Sequence, residues 1–393
     1  MNNKLLFGTT ALAAVLLAGA AQAADPGVTV KVAGFAKAFF QVGGISSNQS
    51  NGAGNLRSTT LDTWNNEVWF IAEGTAANGL KYGARIELEG TSQDDQIDES
   101  YMWLQGDWGK LELGNDDNAV NQIAYFIPAV TADKAIGIED PDYYPNFPAG
   151  AGSTFRNFNS PSHYDGDASK LVYFSPRLAG FQAAVSYAPS ACEDNNTAAG
   201  AGGCNNGGFE QDNAAGSGGA FGDAIAFALN YTQKYGDLGV TAAVGYYHDS
   251  GDLATAGDRS SITVGAGISY KGFDLGANWM QTSHYARQAY TLAGSDNPDA
   301  TLNQYLVGAR YTTGAWSFGG QFGYGKITDA AGTLGRDDKL VAGMIGAGYT
   351  IATGLSVDAG VMYYDWSSDT NGVTNLGANQ TATVGLIGTV LSF

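Results

Sequence analysis

The chain has 393 residues, with 38 Asp plus Glu against 19 Lys plus Arg and a formal net charge of −19 at pH 7. That acidic excess argues against nucleic acid as a partner, because phosphate binding needs a basic surface. The 56 Gly, 21 Tyr and 18 Phe, with few Pro or Met and a mean hydropathy near zero, fit a membrane β-barrel in which only alternate residues face lipid.

The N-terminus reads as an export signal. Asn2, Asn3 and Lys4 precede an apolar run from Leu5 to Ala20, and Ala21-Gln22-Ala23 is a small-x-small cleavage pattern. Residues 1–23 are therefore expected to be a signal peptide cut before Ala24, leaving 18 basic against 38 acidic residues, a net of −20.

From Val28 to Phe393 the sequence alternates between apolar and small or polar residues. Two kinds of connection break it. One kind is tight: Ala77-Asn78-Gly79, Gly106 to Gly109, Pro176 to Gly180, Gly236 to Gly239, Lys271-Gly272, Thr313-Gly314 and Ala352 to Gly354. The other is long and polar, as in 43–61, 189–222, 285–301 and 367–379. Short turns alternating with long loops describe an antiparallel meander with a periplasmic and an outer rim, of about sixteen strands.

The period of two is clear in several segments. In 262–270, Ile262, Val264, Ala266, Ile268 and Tyr270 share one face. In 316–324, Trp316, Phe318, Phe322 and Tyr324 do the same. Rings such as Trp279, Tyr305, Tyr311, Trp316, Tyr324 and Tyr363 mark girdles at the two membrane interfaces. The opposite faces are rich in Gly, Ala and Ser, which suits an open lumen. The expected fold is all-β, one transmembrane antiparallel barrel over 24–393, with no second domain.

Other features stay structural. Cys192 and Cys204 share a glycine-rich stretch and are expected to form a disulfide after export. A metal pair there finds no nearby His, and His163, His248 and His284 are scattered. No cofactor is expected. The acidic runs Asp94-Asp95, Asp98-Glu99 and Asp337-Asp338 offer oxygen ligands for a loop-bound Ca²⁺ or a lipopolysaccharide bridge, yet they lack the spacing of a dedicated calcium loop. They read first as solvated loop acids. The chain lacks H-E-x-x-H, G-x-S-x-G and a phosphate-binding glycine loop, so no enzyme is expected.

Two stretches carry a resemblance. EVWFIAEGTAANGLK (67–81) resembles the second strand, first periplasmic turn and third strand of Gram-negative trimeric porins. YMWLQGDWGKLELG (101–114) resembles their fourth strand, turn and fifth strand, and the terminal Phe393 is similar to the family's assembly signal. The resemblance implies a sixteen-stranded homotrimer in the outer membrane, among lipid and lipopolysaccharide. It implies a water-filled channel for passive diffusion of small hydrophilic solutes and ions. Alternatives are a porin selective for a sugar or other nutrient, and a non-conducting barrel acting as an adhesin or structural anchor.

The family pattern also folds a long loop into the pore after the fifth strand. Residues 115–165 have that position, and the apolar patches Ile123 to Ile127 and Ala135 to Ile138 would let them pack inward. Tyr125, Phe126, Tyr143, Tyr144 and Phe147 read as packing within this loop rather than as a sugar-stacking path. Its acids Asp116, Asp117, Asp133, Glu139, Asp140 and Asp142 are the expected loop side of a constriction. Strand parity turns Lys31, Lys37, Arg85 and Arg310 inward as the wall side. Acids facing bases would set a transverse field, with the acidic excess giving weak cation selectivity.

Overall fold

The computed structural model describes residues 27–46, 58–63, 66–90, 96–124, 127–132, 136–138, 165–191, 221–251, 258–284, 301–328, 337–368 and 380–393. Residues 1–23, expected to be a signal peptide, and Cys192, Cys204, Asp94, Asp95, Asp133, Glu139, Asp140, Asp142 and the five loop aromatics lie outside them.

The strands in chain order are β1 Thr29–Ser46, β2 Thr59–Asp62, β3 Glu67–Thr75, β4 Lys81–Glu89, β5 Ile97–Gly106, β6 Gly109–Asn115, β7 Ser169–Phe174, β8 Phe181–Ser190 and β9 Phe221–Tyr235. They continue as β10 Leu238–Gly251, β11 Arg259–Tyr270, β12 Phe273–Ser283, β13 Thr301–Thr313, β14 Trp316–Thr328, β15 Asp337–Ala352, β16 Leu355–Ser368 and β17 Gln380–Ser392. One short helix, α1 (Ala119–Ile123), follows β6.

Every neighbour pairs antiparallel, and β17 returns to β1, closing the sheet. Both β2 and β3 pair with the same side of β1, so they are two halves of one barrel strand and the closed barrel has sixteen. Closure is what lets strands cross lipid, because an open edge would leave backbone N–H and C=O groups without partners. At the break between β2 and β3, the Asn66 side chain accepts the Lys37 N–H at 2.5 Å and supplies the missing bond. At the seam, Gly34 and Phe393 exchange two backbone hydrogen bonds of 3.0 Å. Gly34 has φ of 154°, and a Cβ there would lie 2.2 Å from the Glu67 carbonyl oxygen, so only glycine fits.

The tight turns expected from sequence all fall at strand ends on one rim. Outward-facing residues include Phe318, Phe322, Val307, Ile345 and Ile387. Near the short-turn rim, Phe273 stacks on Tyr311 and Trp316 meets Tyr349, while Tyr305 and Tyr324 pair toward the other end. These are the two girdles.

The small inward-facing residues do not line open water as expected. They receive the segment after β6. Ala119 and Val120 of α1 join one buried cluster with Ala184, Ala188, Ala224, Ala226, Ala228 and Tyr247 on β8–β10. Ile127, Val130, Ile136 and Ile138 form a second cluster with inward-facing side chains of β12–β17 and β1, among them Met280, Leu306, Leu340, Met344 and Phe39. Burying each such aliphatic side chain contributes about 1.5–3 kcal/mol. The wall is smooth because it must be: a Cβ on Gly319 would lie 2.3 Å from the Val130 carbonyl oxygen, and one on Gly346 2.7 Å from the Ile136 side chain.

A segment without strand pairing needs other partners for its backbone. The wall provides them. Gln321 Nε2 donates to the Pro128 carbonyl at 2.9 Å, and its Oε1 accepts the Ile138 N–H at 2.7 Å. Ser317 Oγ accepts the Ala132 N–H, and Asn230 Nδ2 donates to the Ile123 carbonyl. We expect Gln321→Ala to orphan both backbone groups, at about 1–3 kcal/mol each. The variant should show a lower thermal midpoint in detergent and noisier single-channel current. An unchanged midpoint and a quiet trace would show that Gln321 does not hold the segment.

Candidate functional site

The lumenal face of β3–β6 carries the charges. Parity turns Glu67, Glu73, Lys81, Arg85, Glu87, Glu89, Glu99, Lys110 and Glu112 to the same side as the buried wall residues. Arg85 pairs with Glu87 and lies over the Trp69 ring, 4.3 Å from its centroid. Lys110 pairs with Glu112, whose other oxygen accepts from Gln122 Nε2 at 3.0 Å. Glu67 accepts the Trp69 indole N–H at 2.7 Å. The result is a band of alternating sign with an acidic excess, tied to α1 through Gln122.

The foot of the inward segment is built on this band. Asn118 caps α1, accepting the N–H groups of Val120 and Asn121 at 3.0 and 3.1 Å, and donates to Asp165 Oδ1 at 2.7 Å. Lys170 on β7 is buried and donates to the carbonyls of Asp116 and Gly166, with Asp165 at 3.8 Å. Both ends of the segment are thus tied to one lysine. Beside it, Arg259 and Asp249 form a fully buried ion pair that also takes the Tyr247 hydroxyl at 3.0 Å. Burial, then the neighbouring Glu112 and Glu99, hold the Asp116 carboxyl well above the usual carboxylate range. Burial likewise raises Asp165, against the pull of Lys170.

The expected wall bases face inward, but in different surroundings. Lys31 is mostly exposed near the short-turn rim, paired with Glu73 at 2.5 Å. Lys37 lies 4.9 Å from the Phe35 ring centroid. Arg310 stands across the barrel, where it bonds Asp274 at 2.9 Å and the Thr131 carbonyl at 3.1 Å, clamping the inward segment. Arg85 alone of the four shares the band that reaches Asp116 and Asp117. Asp116 and Asp117 sit at the root of the segment, on the same wall as Arg85, Glu99 and Glu112.

One carboxylate trio has ligand-like spacing. Oxygens of Glu67, Glu89 and Asp98 lie within 4.8 Å of one another, an oxygen set of the kind hard cations take. Asp98 belongs to an acidic run singled out in the sequence, whereas Asp337 is engaged with Lys326 at 2.7 Å.

The sequence model of the Gram-negative porin family matches residues 8–389. The chain belongs to the Gram-negative porins. No curated protein matches it in sequence. Solved structures match it in fold. A porin refined at 1.8 Å resolution aligns with a TM-score of 0.58 at 16% identity, over 93% of this chain and 100% of that one. The trimer form of OmpT, an outer membrane protein of Vibrio cholerae, gives 0.56 at 14% identity, over 93% and 99%. An anion-selective porin from Comamonas acidovorans gives 0.54 at 16% identity, over 93% and 100%. Family and fold make the chain an outer-membrane channel for passive diffusion.

Within this porin, sequence reasoning missed Glu112, Lys110, Lys170, Asn118 and Gln321. Parity over 109–114 puts Lys110 and Glu112 on the face of Gly114, and Asn118 before Ala119-Val120 is a helix-start signal. Gln321 had no local signal, because its partners are about 180 residues away.

The raised Asp116 has a consequence for stability. A carboxyl whose folded pKa is elevated contributes stability that is full below the ordinary Asp range and is lost as pH rises through the elevated value. Asp116→Asn removes that titration. Its thermal midpoint should therefore gain on the parent as pH is raised from about 4 to about 9. A difference between the two proteins that stays constant across that range would show that Asp116 is not held protonated.

Proposed function

We propose that this porin passes small hydrophilic solutes and ions with a weak preference for cations, and works as a homotrimer. The observation behind the preference is the acidic band on β3–β6. Glu67, Glu87, Glu89, Glu99 and Glu112 share one lumenal wall with Asp117 at its end, and the cations among them are mostly paired. A wall with excess negative charge raises the local concentration of cations and lowers that of anions. Arg310, committed to Asp274 and Thr131, offers little positive charge to balance it.

The trimer reading is supported by the fold shared with a trimeric OmpT form. Export is read from residues 1–23, with cleavage before Ala24, and the 192–204 disulfide belongs to the same route. The fold alone does not set selectivity, since a similar barrel is described as anion-selective.

In planar bilayers under a KCl gradient, the reversal potential should have the sign of potassium preference. Glu99→Gln combined with Glu112→Gln should move it toward zero. Chloride preference in the parent would overturn the reading, and a barrel without conductance would favour an anchor or adhesin. Heat-labile oligomers on a gel should report the trimer; a monomer after mild extraction would count against it.

A further inference from the structure

Between the β5–β6 turn and the β7–β8 connection, beneath α1, lies a cavity of about 490 Å³. Its lining includes two cations, Lys110 and Arg177, one carboxylate, Asp107, and Gln105, Gln122 and Phe174, and it opens at the short-turn end of the lumen.

Arg177 is the unusual member. Its Nη1 donates to the Gly180 carbonyl at 2.7 Å and to Asn230 Oδ1 at 2.8 Å, and its Nη2 donates to Gln182 Oε1 at 2.7 Å. A guanidinium has five N–H donors, so three fix its orientation and two remain for a ligand. All three acceptors are neutral. Among the described residues, the other arginines, Arg85, Arg259 and Arg310, each have a carboxylate partner, and Arg177 has none. Around it, the Gln105 amide makes no hydrogen bond among the described residues. Gln122 commits its Nε2 to Glu112 and the Asp117 carbonyl, which leaves its Oε1 as an acceptor. The Phe174 ring adds an apolar surface, with Lys110 at 5.8 Å.

We propose that this cavity is a transient binding site for small hydroxylated carboxylates. The carboxylate is held by the two open donors of Arg177. Hydroxyls meet the Gln105 amide and the Gln122 oxygen, and the carbon skeleton lies against Phe174. The inference rests on the reading of the lumen as a conducting path. The acidic band repels such solutes, and a fixed, unpaired guanidinium at the short-turn end gives them a local foothold. Arg177 is exposed, so binding stays weak enough for release, as conduction requires.

The test is single-channel recording in KCl with gluconate or glucose added to either side. Gluconate on the short-turn side should reduce the current saturably, and glucose should not. Arg177→Gln should raise the half-blocking gluconate concentration at least about tenfold, as loss of a charge-assisted hydrogen bond does, while keeping the parent's KCl conductance and heat-dependent gel shift. Should Arg177→Gln lose that shift, Gln105→Ala decides by the same measure, with a several-fold rise expected. Equal effects of gluconate and glucose, or an unchanged half-blocking concentration in the variant, would overturn the proposal. If KCl current is absent altogether, the conducting reading fails. Calorimetric titration of gluconate into detergent-solubilised protein then decides the site: binding that Arg177→Gln removes supports it, and no binding by the parent overturns it.

Discussion

A backbone N–H or C=O in hydrocarbon has no water to fall back on, and the architecture of this porin follows from that. Each strand must be paired on both sides, so the sheet has to close, and β17 meets β1 along twelve consecutive residue pairs. Where pairing is difficult, the chain supplies local remedies. Asn66 bonds the Lys37 N–H at the break in the second barrel strand, and the backbone of Phe393 extends the seam to Gly34. Gly34 lets β3 approach at the point where any side chain would strike the Glu67 carbonyl.

The same constraint acts again inside the barrel. The described residues of the segment between β6 and β7 form no strand ladder, yet they pack against a wall away from bulk water. Its carbonyls and N–H groups are met by Ser317, Gln321, Arg310 and Asn230, all side chains of the lumenal face. Apolar contacts then fix its position through Ile127, Val130, Ile136 and Ile138. Arg310 shows how a residue can satisfy the parity of a pore-lining base and serve mainly as a clamp. Lys170 shows the converse: a buried cation whose work is to gather the two ends of a fifty-residue excursion.

Most of the barrel was legible because its causes are local. Period-two alternation marks lipid-facing residues such as Trp316 and Phe318, and Gly or Asn marks the tight turns, so both the strand number and the inward parity of Lys31, Arg85 and Arg310 could be read. What could not be read depends on distant partners. The Gly and Ala residues of β8–β10 and β14–β16 looked like the lining of an open lumen; they are the seats of an inward segment whose own sequence lies far away. Asp116 and Asp117 looked like one side of a field, and the fold sets them beside Glu99 and Glu112 on one wall. Parity gives direction, whereas the pairing of Arg85 with Glu87, or of Arg310 with Asp274, needs the closed structure.

The glycines at 319 and 346 divide the lumen into two regimes of tolerance. On their side, adding even one carbon displaces the segment that shapes the pore, so that wall admits little change. On the β3–β6 side, charged residues meet one another across paired carboxylates and bases, and among the described residues only the Glu112–Gln122 bond ties the named pairs to the segment. Pore shape on the glycine side is therefore set by sterics, and ion preference by the charges opposite. The same fold is found in a porin described as anion-selective at 16% identity, so the barrel by itself leaves the sign of the lining charge open.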